Sequence, residues 1–210
     1  MLKKFSLDKK FALITGAGGL LGYEHAYALL EAGSNIVITD INLNKLDKAY
    51  KKLNNIFKNK IIIKKAMNIT NEKSINACKN FLLKKKIHVS ILINNASFNP
   101  QPNDLSKSLF EKYSLKKWNS EINVGLTGAF LCSKIFGSQM VKAKLPGVII
   151  NISSDLSIIS PDNRLYNSGK KIKKAKPVSY SVVKTGINGL TRYLATYWAD
   201  KNIRVNSLSP

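Results

Sequence analysis

Short apolar runs alternate with longer stretches in which apolar residues recur every three or four positions, from one end of the chain to the other. Phe11–Thr15, Asn35–Asp40, His88–Asn94, Gly147–Ser153 and Ile203–Leu208 read as strands, and Lys60–Ala66 is strand-like. Between them Leu20–Ala32, ending at Gly33, Leu43–Phe57, Asn71–Lys86, Ser114–Ala143 with Ser114 as its cap, and Ser179–Ala199 carry the helical period. Strands that are apolar on both faces require a sheet covered on both sides, and a helix between successive strands allows parallel pairing through right-handed crossovers. The pattern predicts an α/β chain with a doubly wound parallel sheet in three layers. Asp155–Pro177 breaks the rhythm: Pro161, Gly169, Pro177 and the basic run Lys170-Lys171-Ile172-Lys173-Lys174 predict a long polar loop inserted between elements. With no internal repeat, low-complexity tract or linker, residues 1–210 read as one domain.

Composition narrows the class. A chain of 210 residues with 44% hydrophobic positions can bury a core, which excludes a disordered tail. The 34 Lys and Arg against 12 Asp and Glu give a formal charge of +22, which raises nucleic acid as a partner. Only Arg164, Arg192 and Arg204 are arginines, however, and Lys, Asn and Ile are abundant together, as an AT-rich coding bias produces. Nucleic-acid interfaces lean on Arg forks and stacked aromatics, so no specific nucleic-acid partner is expected. Cys78 and Cys132 lie far apart in predicted helices without a CxxC or Cys/His cluster, which points to a reducing cytoplasmic compartment with neither disulfide nor metal framework. The apolar run Phe11–Ile14 is far shorter than a signal core or the roughly 20 residues of a membrane span. No membrane partner is expected.

Chemistry concentrates at the strand ends. Thr15-Gly-Ala-Gly-Gly-Leu-Leu-Gly22 joins the first strand to the first helix, where glycines let the backbone turn tightly and approach a pyrophosphate at the helix N-terminus. Asp40 ends the second strand, 18 residues beyond Gly22, where an acid accepts hydrogen bonds from both adenosine ribose hydroxyls and repels a 2′-phosphate. No Arg or Lys occurs in the turn or at Ile41 and Asn42, which favours NAD over NADP. Asn94-Asn95-Ala96-Ser97 ends the fourth strand and Asn151-Ile152-Ser153-Ser154 the fifth, both on the edge that would line a cofactor crevice. Tyr180 and Lys184 open the following helix one turn apart on one face, so the ammonium can stabilise a tyrosinate and lower the phenol's pKa from about 10.

In this order and context the islands resemble the short-chain dehydrogenase/reductase family along essentially the whole chain, with further matches at Asn123 within Trp118–Gly128 and at Arg204–Pro210. The resemblance implies a Rossmann fold and hydride transfer between nicotinamide and a secondary alcohol or ketone. It assigns Tyr180 as general acid/base and Lys184 to the nicotinamide ribose and to tuning the tyrosine. Ser154 would orient the substrate oxygen, and Asn123 would hold a water of the proton relay. The implied cofactor-binding set is Gly16, Gly19, Leu20, Leu21, Gly22, Asp40, Asn68, Ile69, Asn95, Ala96 and Pro210, together with Tyr180 and Lys184. Leu20, Asn68 and Ser97 depart from the family's usual glycine, acid and glycine. The chain stops at Pro210 where the family continues through a substrate-covering loop, a helix and a last strand, so a C-terminally truncated fragment of a homo-oligomer is expected. Tyr166-Asn167-Ser168-Gly169-Lys170 also spells YxxxK, 12 residues after Ser154 against 26 for Tyr180, but Ser168-Gly169 and the lysines after it do not make a stable helix. Tyr180 is therefore the expected acid. Pro161–Tyr166 is similar to a bacterial branch associated with flagellin and surface-glycan modification, implying a sugar-like substrate, with a 3-oxoacyl thioester as the alternative. The readings from other classes are a cofactor-binding scaffold without turnover, disfavoured by the intact Ser/Tyr/Lys set, and a basic nucleic-acid binder, disfavoured by the lack of a recognisable nucleic-acid module.

Overall fold

The computed structural model describes residues 5–98, 108–167 and 174–210. Six strands, β1 (Phe11–Thr15), β2 (Asn35–Asp40), β3 (Ile62–Ala66), β4 (Ile91–Asn94), β5 (Gly147–Ile152) and β6 (Ile203–Leu208), form one sheet in the order β3-β2-β1-β4-β5-β6. Every pairing is parallel, with Leu13 beside Val37 and Leu92, and Asn94 beside Asn151. The strand order reverses between β1 and β4, and a crevice opens at such a switch point outside the carboxyl ends of the strands.

Alternation along the strands builds two cores. Leu13, Val37, Leu92, Ile149 and Val205 pack against α3 (Glu72–Lys84) through Ile75, Cys78 and Leu82, and against a long helix through Cys132, Phe136 and Met140. Ala12, Ile14, Ile36, Ile38 and Ile93 face the other way, against Ala26 and Leu30 of α1 (Leu20–Glu31) and Leu46, Ala49 and Leu53 of α2 (Leu43–Ile56). The three-layer doubly wound Rossmann fold follows. Cys78 and Cys132 are free and buried in this core, and burial pushes their thiols up to about 11 and about 12.

The expected helix after Ser114 is continuous over 115–142: α4 (Leu115–Ile122), α5 (Gly128–Cys132) and α6 (Ser138–Lys142) are joined by wide π turns at Asn123–Thr127 and Ser133–Gly137. Ser114 caps it, its hydroxyl accepting the Lys117 N–H at 3.3 Å. Against this helix lies α7 (Val178–Tyr197), packed through Ala129, Val183 and Ile187. The approach is close: a Cβ at Gly125 would meet Val183 Cγ1 at 2.6 Å, and one at Gly137 would meet the Trp198 ring at 2.3 Å. Two details differ from the sequence expectation. β4 starts at Ile91 rather than His88, because α3 closes through Lys86 in a left-handed turn (φ 58°) and the chain must still climb to the sheet. Within the predicted loop 155–177, Asp155–Ser157 and Asn163–Tyr166 wind into single 3-10 turns, while residues 168–173 lie outside the described residues. Among the described residues no helix is long and apolar enough to cross a membrane.

Candidate active site

The turn after β1 is held in shape from β4. Gly16 adopts φ +65°, and a Cβ there would sit 2.8 Å from the Ala96 backbone, so only glycine permits this approach. Thr15 Oγ1 accepts the N–H groups of Asn95 and Ala96, each at 3.0 Å. Asn95 Nδ2 donates to the carbonyls of Thr15 (2.9 Å) and Gly16 (3.2 Å). Asn95 thus fixes the turn itself. Gly19 precedes α1, whose first turn carries no acid and no side-chain cap. Leu20, Leu21 and Gly22 open that helix, where first-turn N–H groups have no intrahelical partner and can meet a pyrophosphate. At the end of β2, Asp40 accepts the Gly18 N–H at 3.0 Å on one carboxylate oxygen and the Asn42 N–H at 2.8 Å on the other, leaving lone pairs for a ribose. The cradle therefore fits a dinucleotide.

A cavity of about 790 Å³ runs along this edge of the sheet and contains the second group of residues. Tyr180 and Lys184 enter it from successive turns of α7. Lys184 is 4% exposed and its Nζ donates to the Ile152 carbonyl at 2.7 Å, 5.6 Å from the centre of the Tyr180 ring. Burial, aided by the charge of Lys176, pushes its ammonium down to about 8. Lys176 Nζ stands 4.0 Å over the Tyr180 ring, and burial lowers its pKa against the opposing pull of Asp155. Ser154 lines the cavity with its hydroxyl donating to Asp155 Oδ1 at 2.8 Å. Behind these groups a buried polar ladder ties the elements together. Asn94 Nδ2 donates to Ser133 Oγ (2.9 Å) and Asn151 Oδ1 (2.8 Å), and Asn151 Nδ2 donates to Thr191 Oγ1 (2.9 Å). Ser153 Oγ donates to the Lys184 carbonyl at 3.1 Å, anchoring α7 where the lysine leaves it.

Residues 10–210 match the family described as short chain dehydrogenase. The chain belongs to the short-chain dehydrogenase family. It is 29% identical over 203 residues to the post-translational flagellin modification protein A of Campylobacter coli, covering 97% of this chain and 77% of that protein. It is 30% identical over 210 residues to the 3-oxoacyl-[acyl-carrier-protein] reductase FabG of Aquifex aeolicus (strain VF5), covering 99% and 75%. A solved structure titled as NAD+-bound xylitol dehydrogenase superposes with a TM-score of 0.80 at 27% identity, over 99% of this chain and 71% of that one. Membership makes the protein an oxidoreductase acting on CH–OH groups.

In this short-chain dehydrogenase the cavity gathers nearly all of the sequence-derived site. Gly16, Gly19, Leu20, Leu21, Gly22, Asp40, Asn68, Ile69, Asn95, Ala96, Ser154, Tyr180, Lys184 and Pro210 line it. The side chain of Leu20, 80% exposed, projects outward from the first turn of α1, so the absent glycine leaves the cradle open. Asn68 Oδ1 is occupied by the Thr70 N–H and hydroxyl at 3.0 and 2.8 Å, leaving its amide N–H₂ as the group free to face adenine. Asn123 is the exception: it is exposed and does not line the cavity, where the next residue, Val124, forms the wall. The inward stripe of the helix is Glu121, Gly125, Gly128, Ala129 and Cys132, a helical spacing that excludes position 123. Tyr166 lies in the 3-10 turn Asn163–Tyr166 and does not line the cavity, and its partner Lys170 falls outside the described residues. Two cations escaped the sequence reading. Lys45, one turn into α2, borders the cavity near Asp40, and Lys176 reaches Tyr180 from just before α7. Spacing was the available signal for both, since Lys45 lies at the third position of a helix capped by Asn42 and Lys176 four residues before Tyr180.

The cradle makes a testable contrast between two glycines. A methyl at Gly22 would lie 2.3 Å from the Gly16 carbonyl and 2.7 Å from Asn95 Nδ2, whereas one at Gly19 meets nothing closer than 3.4 Å. Overpacking of rigid backbone costs about 1–3 kcal/mol. Gly22→Ala is therefore expected to weaken dinucleotide binding by about 10- to 100-fold and Gly19→Ala by far less. Fluorescence titration with NADH measures both, and equal losses would refute the clamp.

Proposed function

We propose that this chain transfers a hydride between NAD and a secondary alcohol or ketone of a sugar-like molecule, in the cytoplasm and as a homo-oligomer. In this reading residues 1–210 form one cofactor-binding domain, and 155–177 is an insertion beside the active site. The observation that carries it is the entry of Tyr180 and Lys184 into the same cavity as the glycine turn and Asp40. NAD, when bound, supplies the hydride acceptor or donor at its nicotinamide ring. Gly16, the first turn of α1 and Asp40 would hold it, with Lys184 on the nicotinamide ribose and Pro210 on the cavity wall. For reduction, the Tyr180 hydroxyl donates its proton to the carbonyl oxygen while the Ser154 hydroxyl, released from Asp155, donates a hydrogen bond to the same oxygen. The Lys184 and Lys176 ammonium groups flanking the phenol stabilise the tyrosinate that remains, and in oxidation the same tyrosinate takes the alcohol proton. The insertion motif Pro161–Tyr166, the flagellin-modification relative and the xylitol dehydrogenase neighbour support a sugar-like substrate.

Hydride transfer is tested by following NADH with sugar alcohols and their ketoses. The cofactor choice has its own test. Asp40 repels a 2′-phosphate while Lys45 attracts one, so NADH should bind more tightly than NADPH, and Asp40→Ala should narrow the gap by about tenfold, the worth of one charged hydrogen bond. Adding Lys45→Ala to that variant should weaken NADPH again. Equal affinities in the wild-type protein would remove the argument for NAD.

A further inference from the structure

Beside Tyr180 lies a second, much smaller space of about 10 Å³, lined by Ser97, Phe98, Glu121, Ser179, Tyr180 and Val183. Ser97, Phe98 and Tyr180 also line the large cavity, so the notch opens on the reacting end of the site. Its volume suits one water or one hydroxyl oxygen. The unusual member is Glu121, a carboxyl group only 5% exposed on α4. Its Oε2 takes hydrogen bonds from both the Tyr113 hydroxyl and the Ser179 hydroxyl, which themselves lie 2.8 Å apart. Burial and the neighbouring Glu121 raise the Tyr113 phenol far above its ordinary value, so it remains a donor. Among the described residues Oε1 has no hydrogen-bond partner and is shut away from solvent. A carboxylate oxygen stranded in this way is costly unless something donates to it. Packing of α4 against α7 needs only Oε2, so the free oxygen calls for a donor arriving from the cavity.

We propose that Glu121 is a specificity-determining residue whose Oε1 accepts a hydrogen bond from a substrate hydroxyl lodged in the notch, next to the carbon that Tyr180 serves. The enzyme then selects polyhydroxylated substrates over simple secondary alcohols and over acyl chains, which present no donor at that point. This rests on the hydride-transfer reading above. Ser97 flanks the mouth of the notch and its hydroxyl can bond the same group. Phe98 and Val183 form apolar walls that leave room for no second water.

The test compares trans-1,2-cyclohexanediol, cyclohexanol and a 3-oxoacyl thioester with the wild-type protein and Glu121→Gln, which keeps the size of the side chain but presents an N–H₂ or a weaker acceptor to the notch. Sites built around a substrate hydroxyl discriminate strongly against the analogue lacking it. The wild-type kcat/KM should favour the diol over cyclohexanol by about tenfold or more, and Glu121→Gln should reduce that ratio by about tenfold, mainly through KM. The wild-type ratio stands even if the variant does not fold. A wild-type ratio near one, or equal losses on both alcohols in the variant, overturns the subsite and reduces Glu121 to a packing role. Turnover of the thioester but of neither alcohol overturns the subsite while hydride transfer stands. Turnover of none of the three, with NADH bound, overturns both.

Discussion

Tyr180→Phe is expected to lower turnover by about 10²- to 10⁴-fold, the usual contribution of a general acid/base, while leaving NADH binding in place. The phenol enters the cavity from α7, with Lys184 one turn further along the same face and Lys176 4.0 Å above the ring. Lys184 Nζ lies 5.6 Å from the centre of the same ring, so both cations sit beside the group that exchanges the proton. Tyr166→Phe is expected to change KM at most, because that side chain lies in the turn Asn163–Tyr166 and off the cavity wall. Steady-state kinetics on both variants, alongside NADH titration, separates proton transfer from binding. Should Tyr166→Phe abolish turnover and Tyr180→Phe retain it, the active site is centred on the wrong tyrosine.

The second large effect concerns stability and its dependence on pH. In the folded chain the Lys184 ammonium is pushed down from 10.5 to about 8, chiefly by burial and further by Lys176. Below about pH 8 both the folded and unfolded chains hold the proton, and the folded state carries the whole cost of a buried charge, about 3 kcal/mol. Between about 8 and 10.5 the unfolded chain binds the proton that the folded chain has released, so this group makes stability rise with pH. Above 10.5 neither state holds it and the cost is gone. Other lysines and tyrosines titrate in the same range, so the useful quantity is the stability of wild type minus that of Lys184→Met, from urea unfolding at each pH. That difference should climb by about 3 kcal/mol across the window. A flat difference would show that the ammonium is better solvated or paired than its 4% exposure implies. A lysine kept at such cost beside a tyrosine is what a site built for proton transfer requires.

The alternation of strands and helices, the parallel crossovers and the cofactor cradle could be read from the chain because each depends on neighbours in sequence, whereas the order β3-β2-β1-β4-β5-β6 came from the structure. Apolar runs such as Ile91–Asn94 can be buried on both faces only beneath two layers of helix, and the turn Gly16–Gly22 owes its shape to backbone freedom that only glycine has. Asp40 follows from its place at the end of β2, and Tyr180 with Lys184 from the 3.6-residue period of α7. Spacing could not replace tertiary packing elsewhere. Asn123 matched by sequence position, yet the packing of Gly125 against Val183 sets the rotation of the long helix, and that rotation turns Asn123 to solvent and Glu121 inward. Lys45 and Lys176 come to the cavity because α2 and the start of α7 dock there. Their spacing from Asn42 and Tyr180 was a local signal, but among so many lysines it did not single them out. Period and turn chemistry are properties of a segment and survive in the sequence, whereas which side of a helix faces the chemistry is fixed only when another element packs against it.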